Sequence, residues 1–400
     1  MSIVIVNWLG GSNDFFSYVN NDIKNTFEEI GKTARIINIG DQFFNELLDE
    51  NKKGIDFAFT FQGLGSGLQL NSANSIWEDL QIPLLCYHGD HPALYPINHN
   101  ASSAWIKHIY STPSFTSFAN AYIPRHEPAT FLEPPSFFAK KKIDLFIGDY
   151  FVLPKNLDDN LKTYQSWSDA SLSQKVLIDF LGDADQAITA EFTNGNRTNH
   201  HDVIDQLLTP DVLSRIQQEL IGQSATAIRF LIHNLLHKIY RNMVAEYTLL
   251  ELADMPIKIY GRGWDRFKAL NNPNHEFFEG TSLADSSFLY QSNYGILDIA
   301  PISDGLHDRT LRATANGSAF LTASSWPHTT RLDQDFSDIF FDGTPGNLYS
   351  KAEWIIKSPN LHREKCQYFA ERHHEKFPFA GFLMSLTEIA ADLNKRQRST

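Results

Sequence analysis

Residues 3–8 form a short run, Ile3-Val4-Ile5-Val6-Asn7-Trp8, rich in β-branched side chains. Such a run predicts a strand buried on both faces of a parallel sheet. A glycine turn, Gly10-Gly11-Ser12-Asn13-Asp14, follows it. Over 15–31 the apolar positions Phe16, Val19, Ile23, Phe27 and Ile30 fall at helical spacing and stop at Gly31. The alternation then repeats. A strand is predicted at 34–39 and a helix near 41–50. A third strand, 55–61, ends in Gly63-Leu64-Gly65-Ser66-Gly67, and a fourth, 82–87, ends in His88-Gly89-Asp90-His91-Pro92. Regular strand–helix alternation means a parallel sheet covered by helices on both faces. Shorter strands are predicted near 107–111, 120–123 and 128–132.

Glu133-Pro134-Pro135-Ser136 and the lysines at 140–142 break this pattern, and a stiff, charged segment of that kind marks a domain boundary. A second alternating system starts with a strand at 143–148. It is interrupted by about 100 mostly helical residues, among which 226–252 has the clearest stripe: Ile228, Leu231, Leu235, Leu236, Ile239, Met243, Tyr247 and Leu250. Strands resume at 257–260, 275–278, 295–300, 319–322 and 339–341, with a short helix at 284–291. An amphipathic helix at 380–394 closes the chain, with a frayed polar stub from Asn394. The fold class is therefore α/β, with two tandem Rossmann-like domains. The first spans 1–138 and the second 140–378, with a helical insertion at about 155–250. Residues 379–400 form a C-terminal helix. Ligands of such pairs sit at the carboxyl ends of the strands.

Composition narrows the function. With 400 residues the chain is too long for one core, and 42% hydrophobic with 20% charged residues excludes wholesale disorder. A net charge of −13 argues against a nucleic-acid partner. Cys86 and Cys366 are the only cysteines, too few for a disulfide framework or a cysteine-based zinc site. No run of about 18 apolar residues predicts a membrane span, and the N-terminus lacks the basic region of a signal peptide, so a cytoplasmic location is expected.

The most informative stretch is 256–325. Its first strand ends in Tyr260-Gly261-Arg262-Gly263-Trp264, where glycines would let backbone approach a ligand around a guanidinium. Phe278-Glu279-Gly280 follows. Then comes Gly305-Leu306-His307-Asp308-Arg309-Thr310-Leu311-Arg312, a glycine turn, an N-cap acid at Asp308 and a helix with two arginines ending at Gly317. A helix N-terminus flanked by arginines attracts a diphosphate. In order and spacing these segments resemble the nucleotide-sugar domain of GT-B glycosyltransferases, most closely the CgeB-like (spore maturation protein B-like) branch. There, a "YGxGW" strand end and an "F-x-G" step precede a Gly…Arg…helix…Gly…Leu-Thr block, here Gly305–Thr322. Residues 82–92, 131–134 and 143–148 add weaker matches to that branch.

The resemblance implies transfer of a sugar from a nucleotide-activated donor to a saccharide or other hydroxyl acceptor, without a catalytic metal or other cofactor. It also implies a role in bacterial surface-glycan synthesis, and a C-terminal helix that returns to the first domain. A lipid-linked acceptor would bring the enzyme to a membrane surface. The donor-binding residues it implies are Gly10, Gly11, Gly261, Arg262, Gly263, Gly305, His307, Asp308, Arg309 and Arg312. Where the family carries a glutamate three residues after the arginine, this chain has Arg312, which accepts no hydrogen bond from a sugar hydroxyl. Either the donor is held differently or it carries extra negative charge, as a CMP-linked ulosonic acid does. The nucleotide, UDP, GDP or CMP, stays open.

Asp90, flanked by His88 and His91 at a strand end, is the candidate base for the acceptor hydroxyl, or a nucleophile in a retaining reaction, with an imidazole orienting it or taking the proton. A turn before Pro92 is the plainer explanation of these three residues. The glycines at 63–67 follow the third strand rather than the first and do not make a dinucleotide site. His233 and His237, one helical turn apart, form a metal-type pair with no third ligand evident, and are better read as a partly buried flank of their helix. His200-His201 and His373-His374 read as surface polar runs. Two rivals to a transferase share the frame: a sugar-nucleotide epimerase, needing no separate acceptor, and a non-catalytic GT-B-like scaffold.

Overall fold

A computed structural model of the chain describes residues 2–8, 15–70, 73–136, 149–157, 174–195, 199–280, 294–299, 305–315, 318–323, 332 and 336–398. It divides into two compact units. The first takes the chain up to Phe138 and again from His373 onward, and the second takes most of the chain between them.

The first unit runs β1 (Ser2–Trp8), α1 (Phe15–Glu29), β2 (Thr33–Ile39), α2 (Phe43–Asn51), β3 (Ile55–Phe61), α3 (Ile76–Asp79), β4 (Leu84–His88), α4 (Pro96–His99), β5 (Ile106–Tyr110), α5 (Pro113–Tyr122) and β6 (Thr130–Phe131). Its strands are all parallel, in the order β2-β1-β3-β4-β5-β6. β1 is buried along nearly its whole length, as its β-branched run requires. Val4, Val6, Phe43, Leu47, Trp77, Leu84 and Cys86 share one core on one side of the sheet. The strand predicted at 120–123 is instead the end of α5. Thr112 caps that helix by accepting from Phe115 N, and Pro113 occupies its first turn, a start signal that outweighs the aromatic composition.

The second unit runs β7 (Phe151–Pro154), α6 (Lys175–Thr193), α7 (His200–Leu207), α8 (Pro210–Glu219), α9 (Ala225–Glu251), β8 (Ile257–Tyr260), α10 (Asp265–Lys268), β9 (His275–Phe278), β10 (Gly295–Asp298), α11 (Asp308–Ala315), β11 (Phe320–Ala323), β12 (Phe340–Phe341), α12 (Asn347–Lys357) and α13 (Pro359–Lys376). The sheet is again all parallel, in the order β12-β11-β10-β7-β8-β9. Its first described strand is β7. The strand predicted at 143–148 and the helix at 284–291 lie outside the described residues. Because β7 pairs with β8 on one side and β10 on the other, the strand order reverses at its carboxyl end. That is the point where open α/β sheets form a binding crevice.

The helical insertion has its own core, in which Leu177, Leu181, Ile204 and Ile216 meet one face of α9. That face is Ile228, Ile232, Leu236 and Ile239; Leu231 and Leu250, placed on the stripe from sequence, are exposed. The last helix, α14 (Phe379–Gln397), runs past Asn394 rather than fraying there. Its Phe382 ring packs edge-on against Tyr87 of β4, with centroids 5.1 Å apart, so this helix belongs to the first unit. Among the described residues no helix is long and apolar enough to cross a membrane.

Candidate active site

At the carboxyl end of β10, next to the strand-order reversal, stands Asp298, a carboxylate with no exposed surface. Its Oδ2 accepts from Thr310 N at 3.1 Å and Thr310 Oγ1 at 2.8 Å. Its Oδ1 lies 3.3 Å from His307 Nδ1 and 3.8 Å from an Arg309 guanidinium nitrogen. Burial by itself would raise this carboxyl, but His307, Arg309 and the Thr310 hydroxyl together hold it well below the ordinary range. The imidazole of His307 is shared with a second acid, its Nε2 lying 3.0 Å from Asp308 Oδ1. Asp308 also pairs with Arg312 one turn along the helix, at 2.6 Å. Against the cost of desolvation, Arg312, His307 and Arg309 lower the Asp308 carboxyl too. Two acids, two arginines and one histidine thus form a single network on β10 and the first turn of α11.

The network changes three expectations. Asp308 is the first helical residue, not the cap. One first-turn amide expected to meet a phosphate, Thr310 N, is already engaged by Asp298, while His307 Nδ1 faces both Asp298 Oδ1 and Arg309 N and can serve only one of them. An anion at this helix would therefore meet side chains rather than the Thr310 amide. Arg312, whose charge suggested an acidic donor, has its counter-charge in Asp308. Sequence reasoning missed Asp298. Its only signal was a carboxylate closing an apolar strand, Gly295-Ile296-Leu297-Asp298. Gly305 is buried just before the network.

The glycines at 261 and 263 have a different reason from the one inferred. A Cβ on Gly261 would sit 2.0 Å from the Lys155 carbonyl oxygen, and one on Gly263 2.7 Å from that of Leu157. Gly263 also has φ +84°, which favours glycine. The close approach is therefore to the chain's own segment after β7. Lys155 N donates to Tyr260 O, Leu157 N to Arg262 O, and Trp264 Nε1 to Lys155 O at 2.7 Å. The Arg262 side chain is exposed. Gly10 and Gly11 lie outside the described residues.

In the first unit the segment 88–91 separates into distinct environments. Asp90 is half-buried and accepts from Gln62 Nε2 at 2.7 Å. His91 is buried against Phe115 and Phe118, its Nδ1 accepting from Ala93 N at 3.2 Å. His88 has no exposed surface and stacks with His99, His108 and Tyr110. Here the hydrogen bonds fix the tautomers. Ala101 O only accepts, so His108 Nε2 donates to it at 2.8 Å, leaving His108 Nδ1 to accept from His88 Nε2 at 2.8 Å. Burial drives His88 and His108 well below the ordinary imidazole range. Of the three residues only Asp90 keeps exposed surface; His88 and His91 are buried. Gly63 is tight against this stack, because a Cβ there would lie 2.3 Å from Asn98 O and 3.1 Å from His88 Cε1.

The histidines read as surface runs include buried ones. His373 is 1% exposed and bonds Ser136 Oγ through Nδ1 at 2.7 Å, while His200 and His201 are buried beside His233 and His237.

No model of a known protein family matches the sequence, and no curated protein does. Solved structures do match. The sucrose-phosphate synthase of Thermosynechococcus elongatus superposes with a TM-score of 0.53 at 9% identity, over 98% of this chain and 99% of its own. T4 phage BGT, solved in complex with its UDP-glucose substrate, gives 0.47 at 11% identity over 100% and 99%. Anabaena HepE, in complex with UDP and glucose, gives 0.47 at 10% over 98% and 100%. These structural neighbours are GT-B glycosyltransferases, and the two six-stranded parallel α/β units of this chain match the GT-B fold.

Proposed function

We propose that the protein is a glycosyltransferase that moves a sugar from a nucleotide-activated donor to a hydroxyl acceptor. The observation that carries the proposal is the Asp298–His307–Arg309 network with its Asp308–Arg312 arm, standing where the strand order of the second sheet reverses. In this reading the second unit binds the donor. Arg309, only loosely held by Asp298 at 3.8 Å, turns to the diphosphate, and Asp298 keeps it and His307 in place. As the glycosidic bond breaks, negative charge grows on the leaving phosphate, and a preplaced guanidinium stabilises it without reorganisation. Asp90, steadied by Gln62, takes the acceptor proton as general base. The chemistry needs no metal, since the cations at the donor phosphate are side chains. The order of segments from Tyr260 to Thr322 supports the CgeB-like branch. With Arg312 neutralised from within, the donor sugar need not be acidic.

The test is calorimetric titration of the purified protein with UDP, GDP, CMP and dTDP, alone and as sugar conjugates. One nucleotide should bind selectively. Arg309→Ala should weaken it by about tenfold or more, the worth of one charge-assisted hydrogen bond, while lowering the stability of the unliganded protein far less. If none of the nucleotides binds, the proposal fails. If one binds and its sugar conjugate is consumed without any acceptor hydroxyl, the epimerase takes its place.

A further inference from the structure

The helical insertion brings together four histidines that lie far apart in sequence. His200 and His201 open α7, where Asn199 Oδ1 caps the helix by accepting from His201 N at 3.0 Å. His233 and His237 stand one turn apart on α9. All four are at most 6% exposed. His200 Nε2 and His237 Nδ1 are 3.0 Å apart, and His201 Nδ1 and His233 Nδ1 are 2.9 Å apart. One ligand nitrogen from each of His200, His201 and His237 lies within 4.8 Å of the other two.

The hydrogen bonds also decide which nitrogens carry lone pairs. Asp205 Oδ1 accepts from His233 Nε2 at 3.2 Å and is itself held by Arg229 at 3.0 Å. His233 Nδ1 is then an acceptor, so His201 Nδ1 carries the proton between them and His201 Nε2 carries the lone pair. A carboxylate behind a histidine is the usual outer support of a metal ligand, fixing tautomer and ring orientation. His200 and His237 share a single proton, and moving it to the far nitrogen of its own ring leaves two lone pairs facing one point with no net proton lost.

We infer that His200, His201 and His237 form a binding site for a first-row transition-metal dication, zinc foremost, with His233 and Asp205 as its outer support. Three imidazoles suit zinc, cobalt, nickel or copper and not magnesium or calcium. Three protein ligands leave one coordination position for water or a small anion. The ion would tie α7 to α9 and fix the insertion. The inference is separate from the transferase reading, because none of its residues belongs to the network on β10 and α11. Another of the converging groups, Cys86, His88 and His108, has its two imidazoles committed to the chain of hydrogen bonds that ends on Ala101 O.

The experiment uses the full-length, untagged protein, stripped with a chelator and desalted. Zinc is titrated against a chromophoric chelator, and cobalt is followed by visible absorption. The expected result is one equivalent of zinc per chain, a raised melting temperature, and the strong visible bands of four-coordinate cobalt without a thiolate charge-transfer band. His237→Gln should abolish all three. His233→Asn, which removes only the outer support, should weaken zinc by about 10–100-fold. His108→Asn should leave binding unchanged. The inference is overturned if no zinc survives desalting and none raises the melting temperature. It is equally overturned if His237→Gln binds like the parent, or if His108→Asn abolishes binding. Should His237→Gln fail to fold, cobalt in the parent protein decides. An imidazole-only four-coordinate spectrum upholds the site, and a thiolate band moves the ion to Cys86 and refutes it.

Discussion

Gly261 shows how a residue read as a ligand contact can owe its identity to the chain itself. The glycines of Tyr260-Gly261-Arg262-Gly263-Trp264 were legible as positions of close approach, and they are that. What the sequence could not say is what approaches, because the partner, Lys155 to Leu157, lies about a hundred residues away. The two roles make separate predictions. Gly261→Ala puts a methyl group 2.0 Å from a backbone oxygen, which must move, so it should cost about 1–3 kcal/mol of stability in urea unfolding, with nucleotide affinity of the folded protein retained. Arg262→Ala, at an exposed position, should leave stability within about 0.5 kcal/mol and lower nucleotide affinity instead. Equal stability of Gly261→Ala and the parent would show that the seam yields. Asp298 is the opposite lesson. A carboxylate ending an apolar strand looks the same whether it faces water or, as here, anchors a histidine and an arginine from a site with no exposure.

At the scale of elements, what was legible was local. β1 to β5 and β8 to β12 follow from apolar runs and glycine punctuation, since a strand buried on both faces needs nothing else. What stayed hidden was pairing across elements: β4 with β5, and α7 with α9, each assembling histidines that are unremarkable one at a time. The β4–β5 stack has a consequence for pH. His88, His99 and His108 are buried beside Tyr110, Arg125 and Cys86, and burial first, then neighbouring charge, lowers all three, His99 to about 3. Above the ordinary value of 6.5 neither the folded nor the unfolded chain protonates them, and stability is full. Below it the unfolded chain takes up protons that the folded stack refuses, so stability falls as pH falls. Each histidine contributes a slope of about 1.4 kcal/mol per pH unit over that window. Urea unfolding at about pH 7.5 and about pH 5.5 should show the loss, and His99→Gln should reduce the slope by one histidine's share. A profile flat across that range would mean the stack admits protons.

At the scale of the whole molecule, the alternation of strands and helices correctly announced two parallel-sheet units, and the amphipathic tail announced a helix to be placed. The first unit is completed from the far end of the chain. Phe382, Leu383, Leu386, Ala390 and Leu393 of α14 are all buried, with Phe382 on Tyr87, and Arg396 pairs with Glu127. A large apolar side chain contributes about 1.5–3 kcal/mol when fully buried. Four such residues therefore amount to a large fraction of the 5–15 kcal/mol that stabilises a typical domain, roughly enough to decide whether it folds. The second unit keeps a separate core, in which Phe151, Val244, Ile257, Ile259 and Leu297 pack without any residue of α14. Removing 379–400 should therefore act on one unit only. Hydrogen exchange read by mass spectrometry should show peptides from β1, β3 and β4 losing protection, while those from β8, β10 and β11 keep theirs. Retained protection in β3 and β4 would mean that the first unit holds together without its last helix. Loss in both units alike would mean that the second core depends on the first.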